Sequence, residues 1–109
     1  MNVKEILEKC AHLNVNEQRS LEDDYLEPVI LKNDLNAWDA ILKEILGPQA
    51  KPAGMEPTQE HLSLTKKLGS INSNQILYKH DFTDKLMIAM LWPWSDGEYI
   101  TLKIVSQKK

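Results

Sequence analysis

KLMIAMLWPWSDGEYITLKIVS, residues 85–106, is the stretch whose reading decides the fold. Two apolar-rich runs flank Asp96-Gly97, a pair suited to a type I′ hairpin turn because both central residues there need positive φ. With that turn, Ser95 faces Glu98 and the rest of the register follows. Leu91 lies opposite Leu102, Ala89 opposite Ile104 and Pro93 opposite Ile100. On the other face Trp94 meets Tyr99, Trp92 meets Thr101, Met90 meets Lys103 and Ile88 meets Val105. The side-chain period of two keeps these sets apart.

Moving upstream, Gln75–His80 is a third β-rich run, joined to Lys85 by Asp81-Phe82-Thr83-Asp84. Pairing His80 with Lys85 sets Lys79 opposite Leu86, Tyr78 opposite Met87, Leu77 opposite Ile88 and Ile76 opposite Ala89. Short connections impose neighbouring antiparallel strands, so residues 74–107 read as a three-stranded β-meander. One face collects Ile76, Tyr78, Met87, Ala89, Leu91, Ile100, Leu102 and Ile104, an aliphatic surface for helices to cover. The other mixes Gln75, Leu77, Lys79, Leu86, Ile88, Met90, Trp92, Trp94, Tyr99, Thr101, Lys103 and Val105. It is too apolar for plain solvent and too polar for a buried core.

Residues 1–69 read as helical. Asn2 with Glu5 forms a capping-box pattern, and Val3, Ile6, Leu7 and Cys10 recur at helical spacing. Asn14-x-x-Glu17 suits a second cap, and Leu21, Tyr25, Leu26, Val29 and Ile30 fit one helical face. Pro28 removes a backbone donor and crowds the carbonyl of Asp24, which favours a break there. Leu35, Trp38, Ile41, Leu42 and Ile45 make a strong stripe from Asp34 to Leu46, stopped by Gly47-Pro48. Residues 47–57, GPQAKPAGMEP, read as a linker or long surface loop. A last short helix opens at Thr58 with His61, carries Leu62, Leu64 and Leu68, and closes at Gly69. The expected architecture is a single α+β domain over 1–109, with three to four N-terminal helices on one face of a C-terminal three-stranded antiparallel meander.

Length and composition support one domain and exclude several classes. The chain has 109 residues and 42% apolar content, which is ordinary globular composition. No apolar run reaches the roughly 18 residues a membrane helix needs. Lys4, Glu5, Glu8 and Lys9 interrupt any signal-peptide core, and the single Cys10 cannot form an internal disulfide. These features point to a cytoplasmic protein. Residues 1–60 hold 6 basic and 12 acidic side chains, whereas residues 61–109 hold 7 and 4. The charge asymmetry suits oppositely charged partners, although helices also carry surface acids at little cost.

No chemistry-bearing motif is present. GxGxxG, the P-loop, GxSxG and HExxH patterns are absent, and no flanking sequence selects Ser70, Ser73 or Ser95 as a nucleophile. Cys10-Ala11-His12 lacks a second ligand pair at zinc spacing, so Cys10 reads as a buried thiol. Glu22, Asp23, Asp24 and Glu27 lack the spacing of a calcium loop and read as acids near a helix start. No cofactor, metal site or catalytic residue is therefore expected.

The mixed sheet face is what remains. Trp and Tyr bring large contact area at low entropic cost and are frequent interface anchors. Trp92, Trp94, Tyr99 and Met90, edged by Lys103 and Lys79, are the candidate partner-binding residues. The expected function is a protein-interaction or regulatory domain that docks a protein partner or a second copy. The plainer reading is that residues 59–68, or the Val15–Leu31 region, simply cover the face. A second class is an enzyme or ligand binder with a pocket between sheet and helices, using His61, His80 or Asp81. A third is single-stranded nucleic-acid binding through the aromatics with Lys79, Lys103, Lys108 and Lys109. The acidic balance and the single Arg19, placed outside the expected sheet, weigh against that one.

Overall fold

Asn2 opens the first helix as its sequence pattern implies, its side chain accepting the Glu5 amide at 2.9 Å. In the computed structural model, which describes residues 2–108, helix α1 spans Val3–Lys9 and buries Val3 and Ile6, with Cys10 buried at its C-cap. None of the helices it describes is long and apolar enough to cross a membrane.

The largest departure comes next. Val15–Leu31 is a β-hairpin and not a broken helix. Strand β1 is Val15–Leu21, β2 is Tyr25–Leu31, and the Glu22 amide donates to the Tyr25 carbonyl at 2.8 Å across the turn. The run Leu21, Tyr25, Leu26, Val29, Ile30 imitates a helical stripe because β2 is buried on both faces. Its Leu26 and Ile30 enter one core while Val29 is covered on the other side. Pro28 is tolerated because the pairing with β1 slips on either side of its partner Gln18. The acids Glu22, Asp23 and Asp24 therefore sit in a hairpin turn, and no helix start lies there.

Helix α2 (Leu35–Leu46) and the short helix α3 (Gln59–Thr65) follow, each flanked by a 3₁₀ turn, Lys32–Asp34 before α2 and Lys66–Leu68 after α3. Strands β3 (Ile76–Asp81), β4 (Lys85–Pro93) and β5 (Tyr99–Lys108) complete the chain. The expected three-stranded meander is thus part of a five-stranded antiparallel sheet, ordered β1-β2-β5-β4-β3, with three α-helices among the described residues. β5 joins the N-terminal hairpin through Leu26 opposite Ile104 and Ile30 opposite Ile100.

The β4–β5 register is the one the sequence predicts, from Ile88 opposite Val105 to Pro93 opposite Ile100. Its turn differs. Gly97 is at φ 74° and Asp96 is not left-handed; the Gly97 amide donates to the Trp94 carbonyl at 3.2 Å. The Asp96 carboxylate instead accepts the Glu98 amide at 2.9 Å, holding a four-residue connection that preserves the register. In the β3–β4 hairpin, Tyr78 faces Ala89 and Ile76 faces Leu91, not Met87 and Ala89. β3 runs on to Asp81 because Phe82 packs against the core and its amide closes the turn on the Lys85 carbonyl. The shift is even, so both faces keep their predicted members.

Helices cover both sides of the sheet, which corrects the one-sided packing expected. The aliphatic face meets α1 and α2 through Val3, Ile6, Trp38, Leu42 and Leu46. On the other side Leu77, Ile88 and Met90 pack with Ile71, Leu64 and Leu68, the last two from α3 and the turn after it. Residues 47–57 are not a free linker either. Lys51 forms a bridge with Leu77 at the outer edge of β3, and its side chain is fully buried. Its ammonium donates to the carbonyls of Gln75 at 2.6 Å, Pro52 at 3.0 Å and Ser73 at 3.1 Å. Burial pulls this ammonium below the ordinary lysine pKa, with Glu56 opposing.

A second polar tie links α2 to the sheet. Asp39 accepts hydrogen bonds from the Tyr78 hydroxyl and, at 3.0 Å, from the Gln49 amide, and Lys43 stands 3.0 Å from its other oxygen. Burial works to raise the Asp39 carboxyl, but these donors outweigh it and hold it below the usual carboxylate range. Burial and the same hydrogen bond push the Tyr78 phenol up. A carboxylate with a lowered pKa contributes stability above its unfolded value that is lost as pH falls through the folded one. Asp39→Asn is therefore expected to cost about 1–2 kcal/mol near neutral pH and progressively less below about pH 4. Urea unfolding of both proteins across that range checks it, and parallel stability curves would count against the tie.

Candidate functional site

The face that carries the predicted partner residues divides into a covered and an open half. α3 and residues 66–71 lie over β3 and β4, as the plainer reading allowed for 59–68. The strip along β5 and β2 is closed mainly by its own side chains.

Trp94 is the centre of that strip. It follows β4, and its backbone amide donates to the Tyr99 carbonyl at 2.9 Å, so both residues are set by the hairpin. Its indole N–H donates to Thr101 Oγ1 at 2.8 Å, which draws the ring inward above β5. The Trp94 and Tyr99 rings lie 5.2 Å apart at 53°. The Arg19 guanidinium, from β1, sits 5.1 Å from the Trp94 ring centroid and 3.4 Å from Glu17. Beneath them Thr101 is nearly buried and Val29 is fully buried. Trp94 and Tyr99 are themselves half-buried, while Arg19 is exposed.

Trp92, next along β4, packs differently. Its ring lies against Gly69, just after the 3₁₀ turn, and Lys103 stands over it with the ammonium 3.7 Å from the ring centroid. That ammonium also donates to the Leu68 carbonyl at 3.0 Å. The Trp92 indole nitrogen is buried without a hydrogen-bond partner among the described residues. Of the other predicted partner residues, Met90 is fully buried in the second core and presents no surface. Lys79, at the far edge, pairs with Glu60 of α3. The structure thus brings Trp94 and Tyr99 together, makes Trp92 with Lys103 a clasp on the covering turn, and leaves Met90 and Lys79 apart.

At the other end of the open strip is a groove of about 1210 Å³. Glu22, Asp23 and Asp24 from the β1–β2 turn line one side, and Lys66, Lys67 and Lys108 contribute opposite charge. Among the described residues no group of three or more His, Cys, Asp or Glu is placed to hold a metal.

The residues of the enzyme reading occupy structural positions. His61 closes the capping box of α3, its Nδ1 accepting the Thr58 amide at 3.1 Å and its own amide donating to Thr58 Oγ1 at 3.2 Å. His80 lies edge-on to Phe82 at 4.5 Å, and Asp81 ends β3. Burial pushes the Cys10 thiol up to about 11, in keeping with a core side chain. Of the lysines in the nucleic-acid reading, Lys109 lies outside the described residues.

Arg19 is the site residue that sequence reasoning missed. Placing it requires recognising β1, whose run VNEQRSL shows no apolar–polar alternation because two irregularities interrupt its period of two. No family model matches the chain, and neither curated proteins nor solved structures give a match.

Proposed function

We propose that this chain is a protein-docking domain whose contact centre is the aromatic corner formed by Trp94, Tyr99 and Arg19. Its partner is a protein that sets an apolar or aromatic side chain on the two rings and a carboxylate against Arg19 and Lys103. The single observation that carries this is the tilted Trp94–Tyr99 ring pair with a guanidinium above the indole, half-open to solvent. Trp, Tyr and Arg are the residue types most enriched among interface hot spots, and here all three meet at one point. The hairpin register and the Thr101 hydrogen bond fix the rings beforehand, so little ordering entropy is lost on contact. Trp92 and Lys103 continue the surface toward α3, while Met90, buried under α3 and the turn after it, and Lys79, paired with Glu60, lie outside it.

The test begins with crosslinking of the whole chain in cells that express it, followed by purification of the crosslinked protein and titration with both components pure. Trp94→Ala or Tyr99→Ala is expected to weaken that complex by about 2 kcal/mol, roughly thirtyfold, with the fold retained by circular dichroism. Binding unchanged in both variants, or crosslinks that map to the α1 side of the sheet, would reject this assignment.

A further inference from the structure

The two edges of the sheet are not alike. The outer edge of β3 is occupied by Lys51, whose backbone exchanges hydrogen bonds with Leu77: the Leu77 amide donates to the Lys51 carbonyl at 3.0 Å, and the Leu77 carbonyl accepts the Lys51 amide at 3.2 Å and the Ala50 amide at 2.8 Å. β1 forms the opposite edge, and among the described residues no segment pairs with its outer side. An edge of this kind is a template for another strand unless something blunts it.

β1 is also self-complementary. Its two irregularities, between Val15 and Glu17 and between Gln18 and Leu21, sort its side chains into two sets. Val15, Gln18 and Leu21 turn toward α1, where with Leu7 and Leu13 they line an apolar groove of about 600 Å³. Glu17 and Arg19 turn to the other face, where they pair and Arg19 meets Trp94. Leu21 is 54% exposed, the more open of the two large apolar side chains that stand in solvent among the described residues.

We propose that β1 is the homodimer interface of this protein, two copies pairing antiparallel about a two-fold axis at Gln18 into one continuous ten-stranded sheet. With Gln18 opposite itself, Glu17 falls opposite the second copy's Arg19, and Val15 opposite the second copy's Leu21. Each opposed pair consists of residues that already share a face, as side chains opposite one another in a ladder must. The charged pair recurs twice by symmetry, as does the apolar pair, which is the signature of an isologous contact. Charges on an edge strand normally prevent pairing; here their order makes the copy the one strand they match. The exposed Leu21 of each copy covers the groove beside the other's Val15.

Sedimentation equilibrium of the full chain, from low micromolar to several hundred micromolar, tests this. The parent protein is expected to dimerise with concentration. Glu17→Arg and Arg19→Glu each place two like-charge pairs in the ladder and should weaken the dimer by about tenfold or more. Glu17→Arg leaves Arg19 over Trp94 and so separates the edge from the aromatic corner. An equimolar mixture of the two variants should recover a heterodimer, and the double swap should recover the homodimer. Trp94→Ala and Tyr99→Ala should dimerise as the parent does, so loss of docking at the corner and loss of the dimer are read separately. A parent that stays monomeric, a dimer indifferent to both charge variants, or one abolished by Trp94→Ala overturns the inference. Failure of the mixture to associate overturns the Gln18-centred register.

Discussion

Lys51→Met is expected to lower the free energy of unfolding by about 2–4 kcal/mol, a large share of what holds a domain this size together. The side chain is fully enclosed, and its three N–H donors meet three backbone carbonyls at 2.6, 3.0 and 3.1 Å. Methionine keeps most of the aliphatic volume and removes every donor. Pro52, Ser73 and Gln75 are then left with carbonyls that have lost their partner, and unmet buried acceptors cost more than the bond itself contributes. The loss should be local before it is global. Amide exchange at Leu77, whose N–H is bonded to the Lys51 carbonyl, should quicken more than exchange in β5. Urea unfolding measures the first quantity and hydrogen exchange the second. A change under about 0.5 kcal/mol would mean that the three carbonyls rehydrate without penalty.

Gly69→Ala should cost about 2–4 kcal/mol through two separate causes. Gly69 has φ 103°, a conformation that side-chain-bearing residues adopt at a cost. A Cβ there would also lie 2.5 Å from Cη2 of Trp92 and 3.3 Å from Cζ2. Trp92 cannot yield easily, since Lys103 stands over its ring at 3.7 Å. The two causes can be resolved. In a Trp92→Leu background the collision disappears and the penalty for Gly69→Ala should fall to about 1 kcal/mol, the backbone part alone. Thermal unfolding of the four proteins gives the cycle, and an unchanged penalty would assign the whole effect to φ.

The sequence was most readable where one signal acted alone. In β4 and β5 each side chain has a period-two environment, and every predicted pair from Ile88 to Pro93 is present. That success outlived an error in turn type, because a four-residue connection through Ser95–Glu98 conserves the register of a two-residue turn. β2 failed for the opposite reason. Buried on both faces, Leu26, Val29 and Ile30 show no alternation, and their spacing coincides with a helical stripe. Pro28 was read as a break within a helical stretch, and the β-branched pair Val29-Ile30 beside it is the strand signal that this reading left unused. The aromatic face was legible as a set, but its cover was not. Whether Met90 sinks beneath α3 while Trp94 stays at the rim depends on packing between segments far apart in sequence.

The position of β5 between β2 and β4 bears on how the chain acquires its structure. The two hairpins β1–β2 and β3–β4 each close locally, within a few residues, and such closures take microseconds. Neither can satisfy the inner edge it turns toward the other until Tyr99–Lys108 threads between them. β2 and β5 are joined across seventy positions at Ile30 opposite Ile100, so this union carries most of the loop-closure entropy. During synthesis both hairpins emerge before their shared neighbour does, with two apolar strand edges waiting. Arrival of the last strand is then the commitment step of folding, and substitutions in Ile100, Leu102 or Ile104 should slow refolding more than substitutions in α1.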